Sequence, residues 1–68
     1  MKITLDKEVD VAYIYFKNIL PGEVAKTICL NDSINIDLDS DKQILGIEIL
    51  NANENLHSST LESAEIIN

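Results

Sequence analysis

Four carboxylates in the second half of the chain have a spacing that could hold a metal ion. Asp37, Asp39, Asp41 and Glu48 fall at positions 1, 3, 5 and 12 of a twelve-residue calcium loop, with Gln43 at position 7. Calcium takes several converging oxygens, and this order would supply them. Position 6, where such a loop turns sharply on a glycine, is Lys42. The flanks also alternate like strands, whereas a calcium loop of this type joins two helices. The plainer reading is the solvated face and Asp-rich turn of a β-hairpin. A divalent-metal module is the alternative.

Asp37 and Glu48 also invite a reading as an acid/base pair. Paired strands would make them diagonal neighbours on one face, close enough for repulsion to raise one pKa. Gly46 would lie opposite Asp37 and leave a shallow gap. General acid/base work needs a pocket that excludes water, and the pattern offers no walls for one. The expectation is therefore no enzymatic activity and no cofactor. A hydrogen bond to a neighbouring strand, helix end or second subunit is a simpler task for Glu48.

The remaining reactive side chains stand alone. His57 is the single histidine and sits in a polar stretch, a poor start for a zinc site. Cys29 is the single cysteine, placed in an apolar stretch, and reads as a small buried hydrophobe without a base to activate it. Tyr13 and Tyr15 share a strand face. Stacked aromatics on a sheet can bind bases, but no basic residues accompany them. Core packing or a subunit interface suits them better.

The elements that must position these groups are mostly strands. From Ser33 to Asn51, Ile34, Ile36 and Leu38 alternate with Asn35, Asp37 and Asp39, and Leu45, Ile47 and Ile49 resume the period after Ser40–Gln43. Pairing Leu38 with Leu45, Ile36 with Ile47 and Ile34 with Ile49 puts all six on one face. A slip of one residue would turn the second set to water. Residues 2–6 (KITLD) form a first strand. Residues 11–16 (VAYIYF) are apolar throughout, as in a central strand covered on both sides or one whose outer face meets a partner. Pro21-Gly22 marks a loop, and residues 23–30 read as a third strand. Ser59 and Glu62 match a capping box for a helix over about 59–67, with Leu61, Ala64, Ile66 and Ile67 as its apolar side.

Together these elements predict one α+β domain over residues 1–68, a single antiparallel sheet of about five strands with a short C-terminal helix. Short links between sequential strands imply antiparallel neighbours. A chain of 68 residues buries only about 60% of its unfolded surface, so a homodimer is expected to cover the apolar side chains left over. The formal net charge of −7, with five Lys and no Arg, opposes binding to nucleic acid or anionic membranes and favours a basic partner protein. A lone cysteine and a start unlike a signal peptide point to the cytoplasm.

Asp6-Lys7-Glu8-Val9-Asp10 followed by Tyr13-Ile14 resembles the opening of the YuzE-like family of small bacterial proteins of unknown function. Ile36-Asp37-Leu38-Asp39, then Ile44-Leu45-Gly46-Ile47-Glu48-Ile49-Leu50 and Ala52, looks like that family's closing hairpin. The likeness covers roughly residues 1–56, and Gly-Ile-Glu-Ile-Leu is its most specific segment. Two features depart from the family's pattern. Lys42 stands where a turn glycine would be usual, which favours a longer loop, and the Lys17–Gly22 connection is somewhat long. The resemblance implies no catalytic residues. Family members are often encoded beside small toxin-like or phage-borne genes, which implies a partner-binding role such as an antitoxin or inhibitor. Tyr13, Tyr15, Asp37, Asp39 and Glu48 are the candidate contact residues.

Overall fold

Six strands and two helical turns make up the computed structural model, which describes residues 1–68. The strands are β1 (Lys2–Asp6), β2 (Val11–Tyr15), β3 (Lys26–Cys29), β4 (Ile34–Leu38), β5 (Ile44–Leu50) and β6 (Glu65–Ile66). The helical pieces α1 (Ala52–Asn55) and α2 (Ser58–Glu62) lie between β5 and β6. The sheet runs β3-β4-β5-β2-β1-β6, antiparallel throughout except that β6 lies parallel to β1.

The two-residue period sorts side chains between the faces. Ile34 faces Ile49 and Ile36 faces Ile47 across β4 and β5; Ile47 and Ile49 in turn face Ile14 and Ala12 across β5 and β2. Ile3 and Leu5 of β1 continue the row opposite Ile14 and Ala12. On this face Leu5, Ala12, Ile49 and Ala52 form the buried centre, and Ile14, Ile34, Ile47, Leu56, Leu61 and Ala64 pack around it. The helical segment thus covers the β1-β2-β5 side. Each large side chain buried there stabilises the fold by about 1.5–3 kcal/mol. The opposite face carries Tyr13, Tyr15, Asn35, Asp37, Gly46 and Glu48.

One expected pair is replaced. Leu38 lies opposite Ile44, not Leu45, because the register shifts after Asp37–Gly46. A β-bulge leaves Ile44 and Leu45 both facing Leu38. It aims Leu45 into the core, where it is 1% exposed, and turns Ile44 out to water. Sequential strands fail to lie side by side twice, at β2–β3 and at β5–β6. β2 pairs with β5, so the chain crosses from the middle of the sheet to its edge before β3 begins. That crossing explains the length of the Lys17–Gly22 connection. Glu23 belongs to this loop rather than to β3: its carboxylate accepts from the Leu20 N–H (2.9 Å) and from Lys17 Nζ (2.5 Å), around a turn with Gly22 at φ 78°. Those bonds hold the Glu23 carboxyl below the usual carboxylate range, the Leu20 N–H foremost.

The C-terminal helix over 59–67 is corrected to the shorter α2 followed by β6. Ser59 lies inside α2, and the N-cap position is His57, with no side-chain cap. The β-branched Ile66 and Ile67 leave the helix for the free edge of β1, where the Ile67 N–H donates to the Leu5 carbonyl (3.0 Å). Lys7 N–H then donates to Asn68 O (2.7 Å). At the other end of the helical segment, Asp10 takes a left-handed conformation, φ 57°, and its Oδ1 accepts from the N–H and Nδ2 of Asn53. A residue from the first turn therefore satisfies the start of α1.

The β4–β5 loop spans Asp39–Gln43 and closes with Asp39 N–H to Gln43 O (3.0 Å). Lys42 sits at φ 65°, the left-handed position such a loop normally gives to glycine. A non-glycine residue there costs about 1–2 kcal/mol, and glycine's greater unfolded entropy offsets part of the relief. Lys42→Gly should raise stability by about 0.5 kcal/mol, roughly 2–4 °C in a thermal melt. An unchanged or lower midpoint would contradict the strain assigned to this residue.

Candidate functional site

The polar sheet face organises around the side-chain-free position on β5. Gly46 faces Asp37 on β4 and Tyr15 on β2, while the next residue inward on the same face, Glu48, faces Asn35 and Tyr13. The Tyr13 ring leans diagonally across Gly46, where a Cβ would come within 3.0 Å of Tyr13 Cε1, Oη and Cζ. An aromatic laid over a sheet glycine covers backbone that would otherwise face water. The ring thereby carries its hydroxyl across β5 to β4, and Tyr13 Oη donates to Asp37 Oδ2 (2.5 Å). The other carboxylate oxygen accepts from Thr27 Oγ1 on β3 (2.6 Å). A continuous row thus ties β3, β4 and β2 together over β5.

Beside it runs a second, shorter row. Asn35 Nδ2 donates to Glu48 Oε1 (3.1 Å). The Tyr13 and Tyr15 rings lie 4.6 Å apart, tilted at 52°, and Lys2 Nζ stands 5.2 Å over the Tyr15 ring while bridging to Glu65 (3.8 Å). Both tyrosines are half-buried by these neighbours. The expected diagonal relation of Asp37 and Glu48 is present. Neither bonds to the other; each carboxylate accepts from neutral donors.

The four acidic residues with calcium-loop spacing do not converge. Asp37 is engaged by Tyr13 and Thr27. Asp39 Oδ1 accepts from the N–H groups of Asp41 and Gln43 (both 2.9 Å), shaping the turn, and Asp41 is exposed at its tip. No three of the His, Cys, Asp and Glu side chains come together as a metal-holding group. The concave region of the surface, about 490 Å³, is lined by Met1, Lys2, Tyr15, Lys17, Asn18 and Ile19, away from Asp37 and Glu48. His57 is exposed. Cys29 is exposed too, correcting the buried reading, because β3 is the outermost strand and nothing packs over its polar-face side.

The pairing of Tyr13 with Asp37 is a feature that spacing alone did not single out. Its signal was present: a glycine in an otherwise β-branched strand marks close approach by something bulky. Burial first, then the hydrogen bond and negative charge of Asp37, push the Tyr13 hydroxyl pKa far above its ordinary value of 10.0.

Residues 2–53 match the DUF2283 family, described as a protein of unknown function, and the chain belongs to that family. No curated protein and no solved structure matches the chain.

Two outcomes follow from this geometry. Gly46→Ala must displace the Tyr13 ring and should cost about 1–3 kcal/mol in urea unfolding, but much less in a Tyr13→Ala background. Equal costs in both backgrounds would remove the ring contact as the cause. The raised Tyr13 pKa stabilises the protonated hydroxyl in the folded state. Its contribution is thus complete below the unfolded tyrosine value near 10.0 and is lost as pH rises beyond it. Stability should fall above that pH, less steeply in Tyr13→Phe, and tyrosinate absorbance from Tyr13 should appear only with unfolding.

Proposed function

We propose that this DUF2283 protein is a non-enzymatic interaction module that presents its acidic polar surface to a basic partner protein, in the manner of an antitoxin or inhibitor. The observation that carries the reading is where the cations go. Lys2 and Lys17 are paired with Glu65 and Glu23. Asp37 and Glu48 meet only hydroxyl and amide donors, so their negative charge is not neutralised within the chain. A sheet face that is ordered by cross-strand bonds and carries unpaired carboxylates suits a basic protein surface. Tyr15 and Tyr13 supply aromatic area beside the carboxylates, the residue type enriched where interfaces hold most strongly.

Charge pairing of this kind speeds encounter and sets specificity, while apolar burial holds the complex. Affinity capture from the native host, with identification of what co-purifies, tests the proposal. The expected partner is basic, binds several-fold less tightly to Glu48→Gln, and is released as ionic strength rises toward about 0.5 M. Recovery of only acidic proteins, or binding indifferent to both salt and Glu48, would rule this reading out.

A further inference from the structure

The apolar face is only partly covered, and the uncovered part adjoins an open strand edge. β3 ends the sheet, and all four of its residues are exposed. Ile28 is 40% and Leu30 62% exposed, on the same face as Ile36 and Ile34, which lie opposite them on β4. Natural edges are normally blunted by proline, a bulge or several charges. Here Lys26 is the sole charge, since residues 24–31 (VAKTICLN) contain no carboxylate.

The hydrogen-bond parity of the edge follows from its neighbours. Leu50 N–H donates to Ser33 O (2.7 Å), so the odd residues of β4 address β5. Leu30 N–H donates to Ile34 O (2.8 Å), so even residues join β4 to β3. Thr27 and Cys29 must then turn their N–H and C=O groups outward, away from the sheet. An antiparallel partner must meet these two residues with outward groups of its own. A second copy does so when Ile28 faces Ile28, which pairs Thr27 with Cys29 in both directions. That register sets Lys26 against Leu30 and keeps the two ammonium groups apart.

We propose that two copies of this chain join antiparallel along β3, with Ile28 facing Ile28 of the second copy, to form one continuous sheet. Charge selects this occupant. A chain of net charge −7 repels its own copies over most of its surface, and this stretch is free of acid. A basic partner would find nothing here to pair with. Ile28 of one copy packs on Ile28 of the other on the apolar face, each Leu30 lies beside the aliphatic stem of the other copy's Lys26, and the polar face is left open.

Sedimentation or light scattering across micromolar to submillimolar concentrations should give the dimer mass. Ile28→Lys places two ammonium groups opposite each other, and Cys29→Pro removes an outward N–H that β4 does not use. Each should raise the dimer dissociation constant at least tenfold while far-UV circular dichroism stays unchanged. In the unsubstituted protein, amide exchange at Thr27 and Cys29 should slow as concentration rises, a readout independent of whether either variant folds. A monomer at all concentrations, a dimer whose Thr27 and Cys29 amides exchange as fast as in the monomer, or folded variants that still dimerise would each overturn the proposal.

Discussion

The Tyr13 ring can cross β5 only because residue 46 has no side chain, and much of the polar face depends on that crossing. Without it, the Tyr13 hydroxyl would not reach Asp37, and Asp37 would answer to Thr27 alone. The same strand alternates Leu45, Ile47 and Ile49 toward the other face, so β5 organises both sides of the sheet at once. Its two neighbours, β4 and β2, are held by main-chain bonds along their length and by the Tyr13–Asp37 side-chain bond above. The resulting row of side-chain bonds runs across the sheet, at right angles to the strands.

Much of this arrangement was legible in the residues. Alternation placed Ile34, Ile36, Ile47 and Ile49 opposite one another, because burial of one face leaves register little freedom. The apolar run at Val11–Phe16 supplies β2, interior in the strand order, although the strand ends at Tyr15 and Phe16 is exposed. The sequence was less informative wherever one local preference met a tertiary competitor. Ser59 and Glu62 favour a longer helix, yet the unpaired edge of β1 draws Glu65 and Ile66 into a strand. Cys29 reads as buried on apolar company, but its exposure is decided by β3 lying at the margin of the sheet, and strand order is a property of the whole chain. The carboxylates of the hairpin share a spacing with calcium loops only in one dimension; pleating sends Asp37 to the sheet face and Asp39 into its own turn.

The segments that resemble the family motif acquire structural explanations. Asp10 is not merely a turn residue, since its carboxylate satisfies the start of α1 from the far end of the sequence. Asp6 accepts from Glu8 N–H within its turn and from Asn68 Nδ2 at the other terminus. Gly46 and Glu48 belong to the polar face, and Ile47 and Ile49 to the core. These roles concern architecture and surface.

Positions 13, 37 and 46 therefore cannot drift independently during evolution. A larger residue at 46 would evict the aromatic at 13 and orphan an acceptor at 37, so an intermediate carrying one change alone is penalised. Lineages that abandon this trio should do so by concerted replacement, and the three columns should covary when homologous sequences are compared.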